Sequence, residues 1–143
     1  MPNGSLEDHL LCRQGTYPLN WEFRFNIARG TARGLQFLHN MGDKPLIHGD
    51  IKSANILLDK NLEPKIGDFS LAREGPQTQY THIKVSRVLG TRPYLPDEYL
   101  RGKKMISTKV DTHSFRIVLF ELGTGLRAYD SHRERDHDIC ETK

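Results

Sequence analysis

The eight residues His48-Gly49-Asp50-Ile51-Lys52-Ser53-Ala54-Asn55 constrain this chain more than any other stretch. They lie between two short apolar runs, Leu46-Ile47 and Ile56-Leu57-Leu58, which are of strand length rather than helix length. Asp50, Lys52 and Asn55 therefore share one short loop. A single backbone conformation can aim a carboxylate, an ammonium and an amide at one point. Asp59-Lys60-Asn61 has turn chemistry and leads to Lys65-Ile66, which predicts a β-hairpin. That hairpin would bring Asp68, thirteen residues after Asn55, back beside it. A lone H-x-D or a lone D-F-x motif is weak. In this order, with a hairpin between them, they form a specific signal.

A loop of this kind needs a scaffold. The chain has 143 residues, enough for one domain, and 36% hydrophobic residues, enough for a modest core. Pro2-Asn3-Gly4 is a turn, and Ser5 with Asp8 has a capping-box pattern that starts a short helix carrying Leu6, Leu10 and Leu11. Gly15 to Pro18 breaks it. Asn20 is the expected N-cap of the next helix, which runs to about His39 or Met41. Trp21, Phe25, Ala28, Ala32, Leu35 and Leu38 recur there at helical spacing and are the expected core face. Gly30 and Gly34 weaken this helix by roughly 1 kcal/mol each relative to Ala, and are expected to admit a neighbouring helix. A long polar stretch from Arg73 to Arg92 shows little periodicity and carries the hydroxyls of Thr78, Tyr80, Thr81, Ser86 and Thr91. From Val110 to Leu122 the chain is apolar on most sides, which predicts a buried helix. Asp130 to Asp138 is a mixed-charge run expected to fray. Its His132 and His137 are read as solvated rather than as a metal pair.

Charge and cysteines narrow the function classes. The net charge is +3, with no block of like charge, so no nucleic-acid partner is expected. Cys12 and Cys140 lie far apart and form no C-x-x-C pair, which suits a reducing compartment. The N-terminus lacks a charged n-region and an apolar h-region, and no apolar run reaches the length of a membrane span. A cytoplasmic location is expected.

His48 to Asn55 followed by Asp68-Phe69-Ser70 resembles the catalytic loop H-x-D-x-K-x-x-N and the Asp-Phe-Gly metal motif of eukaryotic protein kinases. The resemblance covers nearly the whole chain. Met1-Pro2-Asn3-Gly4-Ser5-Leu6 looks like the hinge exit. Gly90-Thr91-Arg92-Pro93-Tyr94-Leu95-Pro96-Asp97-Glu98-Tyr99 resembles the end of an activation segment. Asp111 to Leu122 resembles the buried helix whose aspartate anchors the catalytic loop. The resemblance implies an α+β, protein-kinase-like fold: a mainly helical C-terminal lobe over residues 1–143 with a short β-hairpin at the catalytic loop. The N-terminal lobe is absent from it. Residues 68–98 would be the activation segment and 130–143 a charged tail without fixed structure.

The same resemblance implies the chemistry. ATP and Mg²⁺ would be the cofactors and a protein hydroxyl the acceptor. Asp50 would receive the acceptor's proton and Lys52 would neutralise the γ-phosphate. Asn55 and Asp68 would offer oxygens to Mg²⁺. Thr91 would contact Asp50 and Lys52, and Leu57 would floor the adenine pocket. The start Met-Pro-Asn-Gly-Ser-Leu, His-Gly-Asp-Ile-Lys-Ser-Ala-Asn and Tyr-Leu-Pro-x-Glu-Tyr are similar to the Pelle and interleukin-1-receptor-associated kinases, with plant receptor-like kinases further off. That group relays signals from Toll or interleukin-1-type receptors inside the cell. It implies receptor-proximal adaptors as partners and recruitment through them to the inner face of the plasma membrane.

Several positions depart from the family pattern. No G-x-G-x-x-G loop, V-A-I-K lysine or partner glutamate is found, so the isolated chain is expected to be nearly inactive. Ser70 stands where the metal motif has Gly, which predicts backbone strain at Ser70 and a less certain aim for Asp68. Arg116 stands where the buried helix usually has Gly; it is either a costly buried charge or a side chain reaching water. Glu98 would lack the arginine that pairs with it in longer relatives. Gly49 replaces the arginine that receives activation-segment phosphate in many kinases, leaving Arg87 or Arg92 to pair with phosphates on Thr81 or Ser86. Three readings stay open: a serine/threonine kinase region, a kinase-like interaction module without catalysis, or a decaying fragment with no stable fold.

Overall fold

The computed structural model describes residues 1–13, 15–76 and 82–129. Thr78, Tyr80, Thr81 and the charged 130–143 segment, with His132 and His137, lie outside the described residues. Helix α1 spans Leu6–Leu10. Its start is the reciprocal box the sequence suggests: Asp8 N–H donates to Ser5 Oγ at 3.2 Å, and Ser5 N–H donates to Asp8 Oδ2 at 2.9 Å. Helix α2 spans Trp21–His39, with Phe23 N–H donating to Asn20 Oδ1 at 2.9 Å.

The buried face of α2 matches the expected one at Leu35 and Leu38 and departs from it towards the N-terminal end. It carries Ile27, Thr31, Leu35 and Leu38, whereas Trp21 and Phe25 are 69% and 57% exposed. Both stripes satisfy a 3.6-residue period. What selects between them is the surface packed against the helix. Strand β2 (Ile56–Leu58) and strand β3 (Pro64–Ile66) form an antiparallel hairpin, with Ile56 opposite Ile66. That hairpin lies on α2 at its glycines. A Cβ on Gly30 would sit 2.5 Å from Pro64 Cγ, and one on Gly34 would sit 3.0 Å from Ile66 Cδ1. The glycines admit a strand, not the neighbouring helix the sequence suggests.

Strand β1 (Leu46–Ile47) precedes this hairpin and pairs antiparallel with β4 (Arg73–Glu74). Beyond it, β5 (Ile83–Lys84) pairs with β6 (Met105–Ile106). The hairpin turn is tied by Asp59, whose Oδ1 accepts from the backbone N–H of Asn61 and Glu63 at 2.8 and 2.9 Å. Those bonds hold its carboxyl below the usual carboxylate range.

Helix α3 spans Thr108–Thr124. It is not buried on most sides. Val110, Asp111, Ser114, Val118, Glu121 and Leu122 face inward, while Phe120 is 63% exposed. Among the described residues nothing covers that outer face. Arg116 lies on it and bonds His113 Nδ1 at 3.2 Å, so its guanidinium is not a buried charge. Among the described residues the core has two clusters. One joins α1, α2, β2 and α3 through Leu6, Ile27, Leu35, Ile56, Leu58, Val118 and Leu122. The other gathers Ile47, Val85, Leu95, Tyr99, Ile106 and Val110. Among the described residues the architecture is α+β, with three α-helices and two-stranded ribbons, and the His48–Asn55 loop runs between the clusters.

Candidate active site

The loop is fixed first through its backbone. Asp111, fully buried near the start of α3, accepts from His48 N–H and Gly49 N–H, both at 2.8 Å. A buried carboxylate is tolerated when such donors surround it. His39, at the end of α2, adds a bond from Nε2 to Asp111 Oδ2 at 2.9 Å. His48 is then locked on both ring nitrogens. Nδ1 accepts from Asp50 N–H at 3.2 Å, which leaves Nε2 to donate to the Gly67 carbonyl at 2.8 Å. Its ring also meets Phe69 edge-on at 4.9 Å between centroids. These bonds join the loop to the residues flanking Asp68.

The side chains of the loop converge. Lys52 Nζ lies 3.0 Å from Asp50 Oδ2 and donates to Thr91 Oγ1 at 2.9 Å. Thr91 donates to Asp50 Oδ1 twice, from its hydroxyl at 2.7 Å and its backbone N–H at 3.0 Å. Asn55 Nδ2 donates to the Asp50 carbonyl at 2.9 Å and to Oδ2 at 3.3 Å. Thr91 reaches this centre because Gly90 lets two backbones touch. Gly90 has φ +118°, and a Cβ there would sit 2.8 Å from the Gly49 carbonyl oxygen.

Asp68 is placed by the hairpin. Gly67 N–H donates to the Asn55 carbonyl at 2.8 Å, so the residue before Asp68 is tied to the end of the loop. Asp68 has φ +54°, and Ser70 does not adopt a left-handed φ. The expected strain at Ser70 is therefore not found; the unusual backbone is at the aspartate. Ser70 Oγ donates to Asp68 Oδ1 at 2.7 Å and Ser70 N–H at 3.3 Å. These two bonds, with a smaller contribution from Lys52 and His48, lower the Asp68 pKa and keep it an anion. Asp68 makes no hydrogen bond to Asp50, Lys52 or Asn55.

The oxygen set can be tested against Mg²⁺. Asn55 Oδ1 and Asp68 Oδ2 have no hydrogen-bond partner among the described residues. Two such oxygens suit a hard cation that keeps several waters and shares substrate phosphates. Among the described residues no cluster of three His, Cys, Asp or Glu forms a protein-only cage. Leu57 is half-buried in β2, opposite Lys65, with Cδ1 2.9 Å from where a Gly67 Cβ would stand. An open cavity of about 470 Å³ borders Lys52 and Thr91, with Glu7, Glu121 and Tyr129 on other walls. Glu98 is exposed and makes no ion pair among the described residues.

The sequence did not point to one buried network under the site. Tyr94 OH donates to Glu121 Oε1 at 2.9 Å and shares a 3.1 Å bond with Ser53 Oγ. Ala128 N–H also donates to Glu121 Oε1, leaving Oε2 buried without a partner among the described residues. Burial pushes the Glu121 carboxyl up, and pushes the Tyr94 hydroxyl above its ordinary value. No periodicity could have announced this, since the partners come from four separate segments.

The protein kinase domain family matches residues 1–143. The Pelle-like serine/threonine-protein kinase pik-1 of Caenorhabditis elegans is 52% identical over 138 residues, covering 94% of this chain and 28% of the relative. The serine/threonine-protein kinase pelle of Drosophila melanogaster is 51% identical over 133 residues, covering 91% and 26%. The probable serine/threonine-protein kinase PBL23 of Arabidopsis thaliana is 46% identical over 134 residues, covering 92% and 34%. The chain thus spans about a quarter to a third of the length of these curated relatives. With the helical scaffold, the loop and the hairpin all in place, this chain belongs to the protein kinase family, among its Pelle-like serine/threonine kinases.

Proposed function

We propose that this chain supplies the phosphoryl-transfer centre of a serine/threonine kinase acting on protein hydroxyls. The observation that carries the reading is the convergence of Asp50, Lys52, Asn55 and Thr91 within direct hydrogen-bond distance. Asp50 receives the proton of the acceptor hydroxyl. Lys52 neutralises charge on the transferred phosphate, and Thr91 holds both side chains in register. Asn55 and Asp68 would hold Mg²⁺, which would supply charge neutralisation at the ATP phosphates. Leu57 floors the adenine site. Catalysis of this type is mostly positioning and electrostatics, which suits a centre whose members orient one another.

Likeness to Pelle-type kinases supports a role in Toll or interleukin-1-receptor-type signalling, with receptor-proximal adaptors as partners. It also supports a cytoplasmic location and recruitment to the plasma membrane through those partners. No helix among the described residues is long and apolar enough to cross a membrane. One observation favours the alternative of a kinase-like interaction module: Ser70 occupies an oxygen of Asp68.

The test is made on the polypeptide that carries this chain. Labelled phosphate from Mg-ATP is expected on serine and threonine of a protein acceptor, and Mg-nucleotide is expected to raise the melting temperature. Asp68→Ala should remove most of that rise. Nucleotide stabilisation without transfer would favour the interaction module. Absence of both transfer and nucleotide stabilisation would overturn the proposal.

A further inference from the structure

The Ser70 hydroxyl sits where the family's metal motif has a hydrogen. It donates to Asp68 Oδ1 at 2.7 Å, and its own backbone N–H donates to the same oxygen at 3.3 Å. A carboxylate oxygen offers two lone-pair sites. Both sites of Oδ1 are therefore engaged, and only Oδ2 is free among the described residues. The left-handed backbone at Asp68 (φ +54°) holds the carboxylate over this turn. Ser70 itself is not strained, so nothing in the backbone drives the hydroxyl away.

We propose that Ser70 is a positioning residue that restricts Asp68 to one-oxygen coordination of its cation, through Oδ2. The inference rests on the kinase reading of Asp68 and deepens it. A glycine at this position could donate only its backbone N–H, leaving Oδ1 a lone pair for the metal. With serine, a cation that takes both oxygens must first break a short, charge-assisted bond. Mg²⁺ and Mn²⁺ accept single-oxygen binding, because they retain water in an octahedral shell. Site affinity should therefore be lower than in the glycine form, while the metal that binds is held at one oxygen.

The test is a Mn²⁺ titration of the carrying polypeptide with a non-hydrolysable ATP analogue, read by the loss of the free Mn²⁺ electron-spin-resonance signal. Ser70→Gly and Ser70→Ala should each tighten Mn²⁺ binding by about three- to tenfold, the equivalent of one exposed hydrogen bond. Ser70→Thr keeps a hydroxyl and should keep the wild-type affinity. Tightening in the glycine variant alone would assign the effect to backbone freedom and overturn the inference. Unchanged or weaker binding in both variants would also overturn it. In those two cases the kinase reading stands, provided wild type binds Mn²⁺ and Asp68→Asn does not. Absence of Mn²⁺ binding in wild type would overturn both.

Discussion

Asp111 shows how much one side chain can organise. Its two oxygens accept from His48 N–H, Gly49 N–H and His39 Nε2. Asp111→Ala would leave two buried backbone donors unpaired. It is expected to lower stability by about 2–5 kcal/mol in urea melts, and Asp111→Asn should also destabilise by turning an NH₂ toward a backbone N–H. Glu121 makes a different case. Burial raises its folded pKa above the unfolded value, so between those two values the folded state binds more protons than the unfolded. Stability attributable to Glu121 is thus highest below its ordinary pKa and falls as pH rises through the raised folded value. Comparing urea midpoints of wild type and Glu121→Gln from pH 4.5 to 8 isolates this: the difference should move in favour of the glutamine form as pH rises. The residue-level motif was readable because its members, from His48 to Ser70, lie close together in sequence with the hairpin between. Ser70's bond was not, since serine in place of glycine suggested strain; the left-handed φ belongs to Asp68.

At the scale of elements, α1, its capping box, the Asn20 cap and the β2–β3 hairpin were legible because each is decided by near neighbours in sequence. The buried faces of α2 and α3 were legible only in part, at Leu35, Leu38, Val110, Val118 and Leu122, because each helix carries apolar residues on more than one side. Trp21 and Phe25 look like core in the sequence, yet the hairpin packs on Gly30 and Gly34 instead. The two glycine types should respond oppositely to alanine. At Gly30 the new Cβ meets a proline ring at 2.5 Å. Overpacking of about 1–3 kcal/mol should exceed the gain of about 1 kcal/mol in helix propensity, so Gly30→Ala is expected to destabilise. At Gly123, exposed in α3, nothing lies within 4 Å. Gly123→Ala should stabilise by up to about 1 kcal/mol in the same melts.

For the whole molecule, the fold brings segments distant in sequence to one loop. Asp111 reaches back to His48 across 63 positions, and Thr91 reaches Asp50 across 41. The family resemblance made those pairings expected; periodicity alone could not, because it carries no information on which elements meet. The apolar outer faces of α2 and α3 belong to the same scale, with Phe37 66% and Phe120 63% exposed. They follow from how the helices pack on the two core clusters, not from helix period.

The direct measurement is single-turnover phosphate transfer from Mg-ATP by the carrying polypeptide, wild type against Asp50→Asn. The amide keeps the shape of the carboxylate but cannot take the acceptor's proton. Transfer should fall by about 10²–10⁴-fold, with the nucleotide-dependent rise in melting temperature retained. Transfer at the wild-type rate in Asp50→Asn would contradict the assignment of this loop as the catalytic centre.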